Sequence, residues 1–251
     1  MLSTVMDKMS IVAASGLRSR LEALDVLANN LANSATSGYK ADNELYGTYA
    51  GEAAEAMQGG MTSSLPDIRS RWTNFQQGTL ELTGNPQDVA ISGEGFFTVK
   101  SPTGLMYTRD GHMKVAKDGS LTNSDGYPMV DASGKTITLA GAQAFEISND
   151  GQVRQGGQPV GQLTVVQFPK PEALEKTGYS YFKANEASGK PTPATDADVH
   201  QGKIEASNVA PAESAVRLVS LMRQAEFLQR AITMGADMGK RAIEEVGRVG
   251  S

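Results

Sequence analysis

Two apolar stripes, one near each end of the chain, constrain the fold more than any other feature. Ala14, Leu17, Leu21, Leu24, Ala28 and Leu31 follow one another at spacings that alternate three and four. That alternation is the a/d seam of a helix built to pack on another helix. Arg18, Arg20, Glu22 and Asp25 fall on the other faces. The pattern predicts a helix from about Ser3 to Asn33, ended by the turn chemistry of Ser34-Ala35-Thr36-Ser37-Gly38. Leu218, Leu221, Ala225, Leu228 and Ile232 repeat the alternation near the C-terminus. Pro211 suits a first helical position, with Asn208 or Ala210 near the cap. The second seam weakens at Gly235 and Gly239 and resumes at Ala242 and Val246. A glycine inside a helix costs about 1 kcal/mol relative to alanine, so the end of this helix either frays or lets another backbone approach.

Between the stripes the character changes. Residues 41–67 are rich in Ala, Glu and Gly without firm periodicity, and read as a linker or extended arm punctuated by Ser63-Ser64-Leu65-Pro66. Residues 68–204 carry short β-type runs: Val89 to Ile91, Gly95 to Val99, Ile137 to Leu139, Phe145 to Ile147 and Leu163 to Phe168. Turn signals separate them at Asp110-Gly111, Asp118-Gly119, Asp125-Gly126 and Asp150-Gly151. Residues 184–198 read as a polar loop. The expected class is α+β, with helices at 1–40 and 205–251 forming a coiled-coil-like domain and an all-β domain inserted between them. Pattern alone leaves two arrangements open. The helices pair within one chain beside the β domain, or their seams meet other copies. Val12, Val26, Val219, Met222, Phe227 and Met234 widen the apolar surface beyond one seam each, and that surface stays wet without further partners.

Composition bears on function mainly by exclusion. The net charge is −5, with no basic run longer than two residues, which argues against a nucleic-acid partner. No cysteine is present, so disulfides, thiolate metal sites and cysteine nucleophiles are excluded. No apolar run reaches the ~18 residues of a membrane span. The short run from Met9 to Leu17 follows Asp7 and continues a helical pattern, which argues against a cleaved signal. His112 and His200 lie far apart in sequence with no ligand spacing around them. Gly93-Glu94-Gly95 is followed by a strand pattern, so no helix N-terminus waits there for a phosphate. The Asp-Gly turns fit no calcium-loop frame, and Glu244-Glu245 reads as a solvated helix face. No cofactor is expected. A carbohydrate-binding module would need an aromatic platform, for which Trp72, Phe75, Tyr179 and Tyr181 are the candidates. A hydrolase with dispersed acids is a third class.

The stretch from Leu24 to Lys40 closely resembles the N-terminal signature of flagellar rod and hook proteins. That signature reads Ala-Asn-Asn-Leu-Ala-Asn, two variable residues, Thr, one variable residue, Gly, an aromatic and a basic residue. Ala28, Asn29, Asn30, Leu31, Ala32, Asn33, Thr36, Gly38, Tyr39 and Lys40 match each fixed position. Gln77 to Phe97, Tyr107-Thr108-Arg109-Asp110-Gly111 with Gly126-Tyr127-Pro128, and Gln201 to Val209 resemble later segments of the same family. Met222 to Phe227 departs from the family's usual Gln-Arg-Ala-Tyr-Glu. The resemblance implies a non-enzymatic subunit of a tube. Its terminal helices would form an inner core and its β domain an outer shell. It implies export through the flagellar type III apparatus without a cleaved signal, and assembly in the periplasm. The implied partners are other copies and neighbouring rod proteins, with no nucleic acid and no membrane insertion. The short arm at 41–67 favours a proximal rod subunit, with the distal rod as the alternative. The seam leucines would bury against sister molecules, and Asn30 would fix register between neighbouring helices, as a polar residue at an a position does. For Asn33 a capping or solvent-exposed role is expected.

Overall fold

The computed structural model describes the backbone of residues 2–49, 65–141 and 144–249, and the side chains of 13–45, 70–141 and 144–241. The expectations for Val12, Ser63-Ser64, Ala242, Glu244-Glu245 and Val246, and for most of 41–61, lie outside these described residues. The architecture is α+β, with a helix at each end and a β-rich region between. Helix α1 spans Leu2–Ala32 and helix α2 spans Pro211–Val249. Pro211 occupies the first helical position, where its missing N–H costs nothing, and the Ser214 amide bonds back to the Ala210 carbonyl at 3.0 Å. Gly235 and Gly239 do not interrupt α2, because the long apolar face outweighs a local propensity cost.

The chain divides into two compact units. The first holds residues 1–31, 42–72 and 210–251; the second holds 32–41 and 73–209. In the first unit, the stretch read as linker or arm contributes β1 (Asp42–Tyr49), which pairs with β2 (Leu65–Thr73) in a two-stranded sheet. In β1 the apolar Leu45, Tyr46 and Tyr49 fall without regular alternation, which hides that strand from a hydrophobicity pattern.

The second unit is the β body. Its main sheet has six strands in the order β13-β14-β6-β5-β12-β15. These are Glu175–Thr177, Tyr181–Lys183, Gly104–Thr108, Phe96–Ser101, Val165–Gln167 and Thr192–Pro193. Smaller pairings surround it: β16 (Asp198–Gln201) on β4 (Val89–Ser92), β17 (Lys203–Glu205) on β3 (Leu80–Leu82), and β7 (Met113–Val115) on β8 (Leu121–Asn123). A further sheet orders β11 (Gln158–Gln162), β10 (Gln152–Gln155) and β9 (Phe145–Ile147). One apolar core runs through Ile91, Phe97, Val99, Leu121, Met129 and Val153. A second gathers Phe96, Tyr107, Phe168 and Phe182, and Phe75 packs edge-on against Phe96 and Phe182.

The turn signals divide in outcome. Gly119, Gly126 and Gly151 adopt positive φ, as Asp-Gly turns require. Gly111 does not; it is glycine because a Cβ there would lie 1.5 Å from the Val89 carbonyl oxygen. Ile137 to Leu139, expected as a strand, contributes one isolated bridge, Thr138 with Ser120. The expected loop at 184–198 contains the short edge strand β15.

Candidate functional site

The terminal stripes come together in the first unit. Ala23, Leu27 and Leu221 are buried as one cluster, with Leu24 and Leu218 packed on it. Gly16 faces Leu228, since a Cβ there would meet the leucine at 3.6 Å. Rising numbers on α1 therefore meet falling numbers on α2, and the helices run antiparallel. On α2 Leu221 and Ala225 are buried and Leu218, Leu228 and Ile232 half-buried, the stripe read from the sequence; Ser214, Ala231, Gly235 and Gly239 are half-buried as well. On α1 the covered face is rotated from the expected one. Ala23, Val26 and Leu27 are buried, Leu17, Leu24 and Leu31 are half-buried, and Ala28 and Leu21 are exposed.

A second apolar face of α2 has no cover within the described residues. Val216 is 73% exposed, Phe227 69%, Met238 61%, Met234 59%, Met222 49% and Val219 48%. Leu21 adds a half-exposed side chain from α1. A groove of about 810 Å³ runs here, bounded by Arg20, Val216, Val219, Arg223, Phe227 and Leu228. So many large apolar side chains along one helix mark an interaction surface.

The asparagines act within the chain. Asn30 Nδ2 donates to the Asp42 carbonyl at 2.7 Å, and the Asp42 amide donates to Asn30 Oδ1 at 3.0 Å. This amide ties the end of α1 to the start of β1, which undercuts a role in register between neighbouring molecules. Asn33 is buried rather than solvent-exposed, and its carbonyl accepts the Thr36 amide at 3.1 Å in the turn that ends the helix. Asn29 and Ala32 are exposed.

The rest of the signature builds a buried polar knot in the second unit. Gly38 sits at φ +68°, and a Cβ there would lie 2.3 Å from the Asp110 amide nitrogen. Its own amide donates to the Glu205 carbonyl at 2.8 Å. Tyr39 is fully buried, with Lys176 Nζ 4.1 Å from its ring centroid. Lys40 is fully buried as well, and its Nζ donates to Glu205 Oε1 at 2.5 Å and to the Gln76 carbonyl at 2.7 Å. The other Glu205 oxygen accepts from Arg109 Nη1 at 3.0 Å, and the Gly78 amide donates to Oε1 at 2.9 Å. Arg109 Nη2 donates to the Gly93 carbonyl at 2.8 Å, while its Nε has no partner. Two buried cations thus share one buried carboxylate. Burial pulls both the Lys40 ammonium and the Arg109 guanidinium below their ordinary pKa, against the opposing pull of Glu205. Asn208, read from sequence as near a helix cap, instead donates to the Asn74 and Gln76 carbonyls at 2.7 and 3.0 Å and accepts the Ala41 amide at 2.8 Å.

Sequence reasoning named Lys40 and placed Asn208 near a helix cap, but gave no role to Glu205 or Arg109. The available signal was their place in the segments that carry the family resemblance. Of the aromatic candidates, Phe75 and Tyr181 pack into the body, while Trp72 and Tyr179 are exposed. The Tyr181 hydroxyl bonds Asp125, and burial with that carboxylate pushes its pKa up. The His112 ring lies 2.7 Å from Asp110 Oδ1, which raises its pKa. Among the described residues no helix is long and apolar enough to cross a membrane.

Comparison with known proteins agrees with the layout. Residues 12–40 match the family described as flagella basal body rod protein. Residues 90–155 match the flagellar hook protein FlgE/F/G D1 domain, and residues 200–245 the flagellar basal body rod FlgEFG protein C-terminal family. The flagellar basal-body rod protein FlgF of Caulobacter vibrioides is 31% identical over 97% of this chain and 100% of its own length. FlgF of Mesorhizobium japonicum is 30% identical over 94% of this chain and 96% of its own length. The rod protein FlgG of Agrobacterium fabrum is 30% identical over 90% of this chain and 95% of its own length.

Proposed function

The chain belongs to the flagellar basal-body rod proteins and is a structural rod subunit, and from that premise we propose that it polymerises through the uncovered apolar face of α2. The observation that carries this reading is the row Val216, Val219, Met222, Phe227, Met234 and Met238, each 48% or more exposed. Within the first unit, one helix pair covers only the Leu218-to-Ile232 stripe. Burying the second stripe against sister helices gives about 1.5–3 kcal/mol gross for each large side chain. Ordering each backbone residue opposes it by about 1–2 kcal/mol. The difference per subunit is small, so association needs several neighbours at once, which suits growth at the tip of a tube. The subunits above and below would be this chain or related rod proteins, delivered by the flagellar export apparatus. Burial on the outer face of α2 and on Leu17, Leu21, Leu24, Ala28 and Leu31 then completes a coiled-coil-like core.

Within the rod, a proximal position is favoured by the end-to-end match with the Caulobacter FlgF; the FlgG relatives make the distal rod the alternative reading. Sedimentation of the purified chain across a range of concentrations tests assembly. The parent chain should form larger species as concentration rises, and Phe227→Asp should not. A parent that stays monomeric throughout, or a variant that assembles like it, would overturn the reading. Restoration of motility in strains lacking one or the other rod protein distinguishes the two positions.

A further inference from the structure

The chain sorts its methionines by environment. Among the described residues, Met106, Met113 and Met129 belong to the core of the β body and are each 5% exposed or less. Met222, Met234 and Met238 all stand on α2, and all are exposed. Met234 lies two helical turns beyond Phe227 and Met238 one turn beyond Met234, so both share the face that carries Val216, with Met222 at its flank. An unbranched thioether fills an apolar surface about as well as leucine does, yet its sulfur is the one atom on that face that a mild oxidant converts.

We propose that Met222, Met234 and Met238 are oxidation sites through which a hydroperoxide switches off self-association of the free subunit. The switch rests on the assembly through α2 proposed above and adds a condition to it. The peroxide hands one oxygen atom to each thioether. Its O–O bond breaks, an S–O bond forms, the sulfur gives up two electrons, and hydrogen peroxide departs as water. The product is a polar sulfoxide whose oxygen accepts hydrogen bonds. Covering it with sister helices strips that oxygen of water, and the neighbouring Val216, Val219 and Phe227 side chains offer no donor in return. The core methionines are shielded, so the β body keeps its fold while the surface of α2 changes. The change is reversible, because a thiol-driven reductase returns the sulfoxide to the thioether and releases the oxygen as water. It is also one-sided in time. Once other subunits cover α2 the sulfurs are out of reach, so an oxidant that stops free subunits from joining leaves those already joined intact.

The test treats the full chain with hydrogen peroxide, removes the peroxide, and follows self-association by sedimentation over a concentration series. Peptide mass spectrometry reads the gain of one oxygen at each methionine. Met222, Met234 and Met238 should oxidise at least about tenfold faster than Met106, Met113 and Met129. The oxidised chain should need at least about tenfold more protein to assemble, with the near-ultraviolet dichroism of the β body unchanged. Treatment with the two methionine sulfoxide reductases, one for each sulfoxide epimer, and a dithiol should restore assembly. A Met222→Leu/Met234→Leu/Met238→Leu variant keeps the apolar bulk and should assemble with or without peroxide. Its other methionines remain, so loss of its assembly on treatment would place the effect outside α2 and overturn the proposal. So would an oxidised parent that assembles like the untreated one, α2 sulfurs that oxidise no faster than the core ones, or assembly that reduction does not restore. An untreated parent that never assembles overturns the assembly reading itself, and the switch with it.

Discussion

Glu205→Gln isolates the charge balance of the buried knot. The carboxylate accepts from Lys40, Arg109 and the Gly78 amide, and the Glu205, Lys40 and Arg109 side chains are all buried. A glutamine occupies the same volume but carries no charge, and its oxygen replaces only one of the two acceptors. Both cations then lie in a low-dielectric setting without their bonded carboxylate. Breaking a buried ion pair from one side costs about 3–5 kcal/mol. With an m-value of about 2 kcal/mol per molar urea for a unit of this size, the midpoint should fall by roughly 1.5–2.5 M.

Lys40→Met is the contrasting perturbation. It leaves Arg109 and Glu205 as a balanced pair, keeps the Gly78 amide on the carboxylate, and leaves Asn208 to donate to the Gln76 carbonyl. Exchanging a buried ionic group for an apolar one of similar shape is often close to neutral, so a cost under about 1.5 kcal/mol is expected. Urea titration followed by near-ultraviolet dichroism suits the comparison, because Tyr107, Tyr127 and Tyr181 lie in the β body while the single Trp72 does not. If the two variants lost the same stability within about 0.5 kcal/mol, near the scatter expected between independent sites, the counting of two cations against one anion would be refuted.

Gly38→Ala forces a Cβ to 2.3 Å from the Asp110 nitrogen at a positive φ. It should cost well beyond the about 1–2 kcal/mol of left-handed backbone strain alone, whereas Gly126→Ala, with open space around it, should cost only that strain; urea midpoints compare them. Leu221→Ala removes the most buried leucine of α2 and should lower the stability of the helical unit by about 2–3 kcal/mol, read as lost amide protection in α1 and α2 by hydrogen exchange. His112 has a raised pKa in the folded chain. Its contribution is therefore full below pH 6.5 and fades as pH rises through the raised value. His112→Gln should flatten the pH dependence of stability in that window, and an NMR titration of the ring gives the folded value. An unchanged slope would mean that the Asp110 contact has no energetic weight.

The elements that could be read from the chain are those whose environment repeats. The Leu218-to-Ile232 stripe was legible because one neighbour, α1, packs on it at Leu218, Leu221 and Leu228. On α1 the buried face is set instead by where α2 crosses, so Ala23 and Leu27 are inside while Leu21 is half out. The strand β1 left no regular alternation to detect. Gly111 carries a turn signature but serves a close approach of two backbones, a requirement that exists only after Val89 has been placed. Glu205 is the clearest case. Alone in sequence it is an ordinary strand acid; its role needs Lys40 and Arg109, which lie 165 and 96 residues away.

These two sites assign different work to two kinds of sequence feature. The long matching signature, from Gly38 to Lys40 with Arg109, Glu205 and Asn208, ends inside the β body, where it satisfies buried charges and backbone groups. Three of its positions are demanding in residue type, because each has one geometric answer: no Cβ at 38, an anion at 205, an amide at 208. The exposed face of α2 asks only for apolar bulk at helical spacing, and Val, Met and Phe all serve. It follows that substitutions among large apolar residues at Val219, Met222 or Met234 should leave assembly nearly intact, while conservative changes at Glu205 or Asn208 should not leave the chain unchanged. Sedimentation of a Met222→Leu/Met234→Leu variant beside Glu205→Gln checks that contrast. Loss of assembly in the leucine variant would mean that the α2 surface is specified residue by residue, and that apolar bulk alone does not explain it.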